Sequence, residues 1–167
     1  MDEQDRVLLR RVHADSLEAA TADVLELTIG DLTAPAGEPA CDGCVTATIP
    51  ITGPNHASLV VTCTEEFARA LAAAMFDMAS GDLSPEEVHD ALGELTNMIG
   101  GSVKTLLDGE WRLGLPSVQP GTGDGLALPA PEPQCTTRVD HCGHQVGLHF
   151  YSAEVHGRAD AARKDQQ

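Results

Sequence analysis

The chain has 167 residues, long enough for one domain with a real core, and 42% of them are apolar. Aromatic residues supply only 3%, so Ala, Val, Leu and Ile must build the interior. The formal net charge of −16 argues against nucleic acid, which needs clustered Lys and Arg, and against an anionic membrane surface.

No apolar run approaches the length of a membrane-crossing helix. The opening MDEQDRVLLRR is charged and lacks the apolar stretch of a secretory signal. These features predict a cytoplasmic location with no membrane contact. The five cysteines, Cys41, Cys44, Cys63, Cys135 and Cys142, are an odd number, which argues against a disulfide framework in that compartment.

Residues 1–11 are expected to be a flexible N-terminus. From Val12 to Ile29 the apolar residues Leu17, Val24, Leu25 and Leu27 recur among alanines and acids, which predicts a first helix. TAPAGEPACDG is then a Pro- and Gly-rich loop. VTATIPI (45–51) alternates apolar and polar residues, TGPNHA is a turn, and SLVVTC (58–63) is a second strand, together a hairpin or close pair.

Thr64 is placed to cap a helix whose first turn holds Glu65 and Glu66, and Ser80–Gly81 ends that helix. Ser84 caps the next one, with Pro85 at its first position and Glu87 at the capping-box position, and the pattern runs on to about Leu107. Leu113 to Gln119 reads as a short strand or ordered edge, and 120–133 as a mobile Gly/Pro loop. TTRVD and QVGLHFYS are two strands joined by HCGH, and 156–167 is a disordered tail.

On a helical wheel, Val88, Leu92, Leu95, Ile99, Val103 and Leu106 form the core stripe of helix 84–107. Asp90, Glu94, Asn97 and Gly101 fall opposite, with Gly93 and Gly100 beside them. Three glycines each cost the helix roughly 1 kcal/mol relative to alanine. The wheel places them on an exposed strip, where they let another surface come close. Glu94 and Asn97 are neighbours three residues apart, an anion and a neutral amide on one rigid element.

Other patterns carry less. Cys41-x-x-Cys44 and His141-Cys142-Gly-His144 are ordinary thiols and imidazoles, a combined zinc site or, for Cys41 and Cys44, a redox pair. The absence of a second CxxC favours the first. His89 is a boundary residue of the long helix or a group that tunes pH dependence. Neither a phosphate-binding GxxxxGK[ST] loop nor a GxSxG elbow occurs.

DALGELTNMIGGSVKTLL resembles the signature helix of the CheX/CheC/FliY chemotaxis phosphatases, whose pattern is Asp or Ser, three residues, Glu, two residues, Asn. Asp90, Glu94 and Asn97 stand at those positions. VTATIPITGPNHASLVVTCTEEFARALAAAMF resembles the strand–strand–helix that precedes the motif in CheX-type domains, and LGLPSVQPG the Pro-containing strand that follows it. The single copy of the motif is similar to CheX rather than to CheC.

The resemblance implies an α+β CheX-like domain over 12–155, with an antiparallel or mixed sheet and two long helices packed on one face. It implies a phosphatase acting on the phosphoaspartate of a CheY-like response regulator. Asn97 would hold the attacking water and Glu94 would pair with the partner's lysine. Asp90, Gly93 and Gly101 would contact the partner. The chain would bind no metal or cofactor, since the phosphorylated partner supplies Mg²⁺, and a homodimer is a further expectation. The other reading is a non-catalytic module that binds or sequesters a receiver, or joins a flagellar-switch-type assembly.

Overall fold

The computed structural model describes residues 12–32, 34–35 and 43–153. The expected flexible N-terminus at 1–11, the tail at 156–167 and Cys41 lie outside the described residues. Helix α1 (Ala14–Ile29) precedes strands β1 (Cys44–Thr52) and β2 (His56–Thr64). Helix α2 (Glu65–Phe76), a 3₁₀ turn at Ser80–Asp82 and helix α3 (Pro85–Lys104) follow. Strands β3 (Arg112–Leu113), β4 (Ser117–Pro120), β5 (Cys135–His141) and β6 (His144–Ser152) complete the elements of the described residues.

The six strands form one sheet in the order β3-β1-β2-β6-β5, with β4 also paired to β1. Every pairing is antiparallel, so the fold is the α+β arrangement expected. Alternation puts Val45, Ala47, Ile49 and Ile51 of β1 on one face with Leu59 and Val61 of β2 and Val146, Leu148 and Phe150 of β6. That face is covered by Leu17 and Leu25 of α1, Phe67 and Leu71 of α2, and Val88, Leu92, Leu95, Ile99 and Val103 of α3. One apolar core therefore lies between the sheet and all three helices.

Local chemistry sets where the helices begin. The Phe67 amide donates to Thr64 Oγ1 at 3.1 Å, capping α2. At α3 the Glu87 amide donates to Ser84 Oγ at 3.2 Å and the Ser84 amide donates to Glu87 Oε2 at 2.8 Å, a complete capping box behind Pro85. The end of α3 differs from the expectation. The amides of Thr105, Leu106 and Leu107 donate to Ser102, Val103 and Lys104, tightening the chain into i→i−3 turns after Lys104. Leu107 is thereby swung into the core, and Leu106, half-buried, packs against it.

Two loops are tied down more firmly than their composition suggests. The HCGH turn anchors the segment leaving α1. His141 Nε2 donates to the Gly30 carbonyl at 2.6 Å, the Leu32 amide donates to Cys142 Sγ at 3.3 Å, and Pro35 packs beside Gly143. His144 is buried with its ring centroid 5.5 Å from that of Phe67. The start of the 120–133 loop, expected to be mobile, is bonded to β1. The Gly121 amide donates to the Cys44 carbonyl at 2.8 Å, and Thr46 Oγ1 donates to the Gly121 carbonyl at 2.7 Å.

The edge of the sheet beside α3 is also clamped. The Gly114 amide donates to the Pro50 carbonyl at 2.8 Å. A Cβ at Gly114 would lie 2.5 Å from Pro50 Cγ, whereas one at Gly93 would meet Pro116 and Val118 at an ordinary 3.7 Å. Gly114→Ala is therefore expected to destabilise the fold by about 1–3 kcal/mol through overpacking. Gly93→Ala is expected to be neutral or to stabilise by up to about 1 kcal/mol through helix propensity; urea denaturation of both variants measures this difference in sign. His141→Ala strands the Gly30 carbonyl and is expected to cost about 1–3 kcal/mol in the same titration.

Candidate functional site

Helix α3 buries Val88, Ala91, Leu92, Gly93, Leu95, Thr96, Ile99, Gly100 and Val103. Thr96, polar but fully buried, donates its hydroxyl to the Leu92 carbonyl at 2.7 Å and so brings no unpaired group inside. The opposite strip carries Asp90 and Glu94, both exposed, with Asn97 and Gly101 half-buried. Among the described residues, no hydrogen bond or salt bridge engages the side chains of Asp90, Glu94 or Asn97. These groups stand uncommitted on a helix that the capping box and the core hold rigid.

The glycines are placed differently from the wheel expectation. Gly93 and Gly100 are buried, not on the exposed strip. A Cβ at Gly100 would come within 3.2 Å of Ile49 Cγ2 and 3.4 Å of Leu113 Cδ2. Gly100 lets β1 and β3 of this chain's own sheet approach α3 closely, whereas a Cβ at Gly93 would make only ordinary contact with Pro116 and Val118. Gly101, expected on the exposed strip, is half-buried, with Leu113 at 4.0 Å from where a Cβ would stand. The wheel went wrong because glycine adds no apolar signal, and the core turns out wider than the stripe of large side chains.

Asn97 is half-buried and is flanked along its own helix mainly by glycines. Its helical neighbours at i−4, i+3 and i+4 are Gly93, Gly100 and Gly101, and at i−3 stands Glu94. None of these glycines puts a side chain beside the carboxamide, and Glu94 puts a carboxylate there. Next to it lies an open depression of about 430 Å³, lined by His89, Asp90, Gly93, Glu94, Pro116 and Val118. Pro116 and Val118, from β4 and the residue leading into it, form its far wall. Sequence reasoning placed LGLPSVQPG at an edge and did not assign it to this site.

The other candidate residues lie elsewhere. His89, half-buried, reaches both this depression and a second one beside the Glu65–Arg69 ion pair. Among the described residues no group of three or more His, Cys, Asp or Glu is placed to hold a metal ion; Cys41 is outside them. Burial, with Cys44 adding to it, pushes the Cys63 thiol up to about 12, which keeps it protonated and unreactive. On the far face of the sheet, burial and the Arg138 charge lower the pKa of His149, whose ring is 3.2 Å from Thr136 Oγ1.

The fold and its central segment have known counterparts. The family model described as chemotaxis phosphatase CheX matches residues 45–139, more than half of the chain, and spans the whole of α3. No curated protein matches the sequence. Among solved structures, a CheX chemotaxis protein from Desulfovibrio desulfuricans is 26% identical, with 83% of this chain and 97% of that one covered at a TM-score of 0.62. CheX in a CheX–CheY–BeF₃–Mg²⁺ complex from Borrelia burgdorferi is 16% identical, with 87% and 100% covered at a TM-score of 0.63. CheX from Vibrio vulnificus is 23% identical, with 84% and 97% covered at 0.61. With an antiparallel sheet, three helices on one face and a matching central segment, this chain belongs to the CheX family of chemotaxis phosphatases.

Proposed function

We propose that this chain hydrolyses the phosphoaspartate of a CheY-like response regulator. The observation that carries the proposal is the uncommitted Glu94–Asn97 pair on the exposed strip of a rigid, capped helix. The Borrelia burgdorferi structure, a CheX–CheY complex with beryllium fluoride and Mg²⁺, supports a receiver domain as the partner. The divalent cation then arrives with the partner, as part of the phosphorylated substrate.

An acyl phosphate is already activated, so its hydrolysis needs chiefly an oriented water. The Asn97 carboxamide both donates and accepts hydrogen bonds and adds no charge beside the phosphoryl group. It holds the water in line with phosphorus. The water oxygen bonds to phosphorus as the bond to the aspartyl oxygen breaks, releasing inorganic phosphate and the free carboxylate. Glu94 pairs with a cationic group at the rim of the partner's site, and Asp90 and Gly101 border the same contact. Gly93 lines the depression beside Glu94.

The net charge of −16 is compatible with this docking because the partner's local group is cationic. The second reading, a sequestering module, predicts binding through the same strip without turnover.

The test is the decay of phosphorylated receiver domains from the same organism, with Mg²⁺, in the presence of wild type, Asn97→Ala and Glu94→Gln. Wild type is expected to accelerate decay. Asn97→Ala should lose about a hundredfold or more of that acceleration, comparable to removing a positioned polar group from an active site. Glu94→Gln should chiefly raise KM, since removing one partner of a desolvated charge pair costs about 2–5 kcal/mol. Tight binding with unchanged decay would support the sequestering reading instead.

A further inference from the structure

Leu115 is 88% exposed, the most exposed large apolar side chain among the described residues. An exposed leucine on a mobile loop would mean little. This one is held between two clamps. On one side Gly114 is bonded to the Pro50 carbonyl at 2.8 Å, with no room for a Cβ between them. On the other, the Pro116 ring rests against α3 at Gly93, 3.7 Å from where a Cβ would stand. Flanking strands β3 and β4 are both paired to β1. The backbone of Leu115 is fixed before any partner arrives.

Its position is equally specific. Pro116, its chain neighbour, is a wall of the depression that Asp90 and Glu94 also line. A surface seated in this depression against Glu94 meets this wall at Pro116, and Leu115 is the next residue along the chain. Apolar anchors on rigid backbone, ringed by polar groups, carry a large share of interface energy because little entropy is lost in ordering them.

We propose that Leu115 is the apolar anchor with which this chain grips the receiver domain beside its phosphorylation site. It is a docking residue that sets which receivers are accepted and takes no part in the chemistry. The proposal rests on the α3 docking described under the proposed function. The occupant is a receiver surface that offers a cationic group to Glu94 and, next to it, an apolar side chain or shallow apolar recess to Leu115.

The experiment measures affinity and turnover separately. Affinity is measured for a receiver domain loaded with beryllium fluoride and Mg²⁺; turnover is measured on the phosphorylated receiver. The chains are wild type, Leu115→Ala, Asn97→Ala and, as control, Leu27→Ala, which removes a side chain 86% exposed on α1. Leu115→Ala is expected to weaken binding and raise KM by about tenfold, with kcat at saturation unchanged. That loss should persist at about 0.5 M salt, whereas the effect of Glu94→Gln should shrink. Leu27→Ala should bind like wild type.

Wild-type affinity in Leu115→Ala, or an equal loss in Leu27→Ala, would overturn the anchor and leave the phosphatase proposal standing if Asn97→Ala is inactive. Weakened binding by Leu115→Ala with no turnover by any chain would uphold the anchor and overturn the phosphatase. Absence of binding to every receiver of the organism would overturn both.

Discussion

A helix can lie close against a sheet only where its side chains leave room, and α3 leaves room at Gly100. There Ile49 and Leu113 come up against the helix surface, where a Cβ would stand 3.2 Å and 3.4 Å from them, while at Gly93 the contact with Pro116 and Val118 would be ordinary even for alanine. The helix gives up propensity at Gly100, at a cost of roughly 1 kcal/mol, and gains close contact with β1 and β3. That contact fixes the rotation of α3 about its own axis. The rotation in turn decides which residues face solvent, and it points Asp90, Glu94 and Asn97 outward. The Asn97 side chain, half-buried on that strip, has no hydrogen-bond partner among the described residues.

The remaining features brace this arrangement. The capping box at Ser84 and Glu87 fixes where α3 begins, and the tight turns after Lys104 fix where it ends. Gly114 against Pro50 ties the β3–β4 segment to β1, so the wall facing α3 is as rigid as the helix. At the far end of the sheet the HCGH turn holds the exit of α1, which packs on both α3 and β5. A pair of side chains that works by position needs this much fixed backbone around it. Most of the chain's chemistry goes into holding one helix still.

Much of the fold was legible in the sequence. Period-two alternation marked β1 and β2, and the Ser84–Pro85–Glu87 signature marked the start of α3, because these patterns depend on neighbours in the chain. What was not legible depends on distant partners. Glycine is silent on a helical wheel, so Gly93 and Gly100 looked exposed until the edge strands were seen to meet them. The Gly/Pro content of 120–133 reads as mobility, yet Gly121 is bonded to both Cys44 and Thr46. His141 and His144 read equally well as ligands or as structural residues until Gly30 and Phe67 appeared beside them. Glu94 and Asn97 stood out by spacing, but only the resemblance to the signature helix assigned them a chemistry. Leu115 carried no signal in either form, since one leucine in a short edge segment looks like any other.

The central claim is that the α3 strip is the surface that meets the partner and that Asn97 lies at its heart. The most direct measurement is the amide NMR spectrum of the ¹⁵N-labelled chain as a receiver domain carrying beryllium fluoride and Mg²⁺ is added. The account predicts that the side-chain amide of Asn97 shifts or broadens with the backbone signals of Asp90, Glu94, Gly101 and Leu115. Signals from Thr136, Arg138 and His149 on the far face of the sheet should stay in place. Changes confined to that far face, with the Asn97 side chain unmoved at saturation, would contradict it.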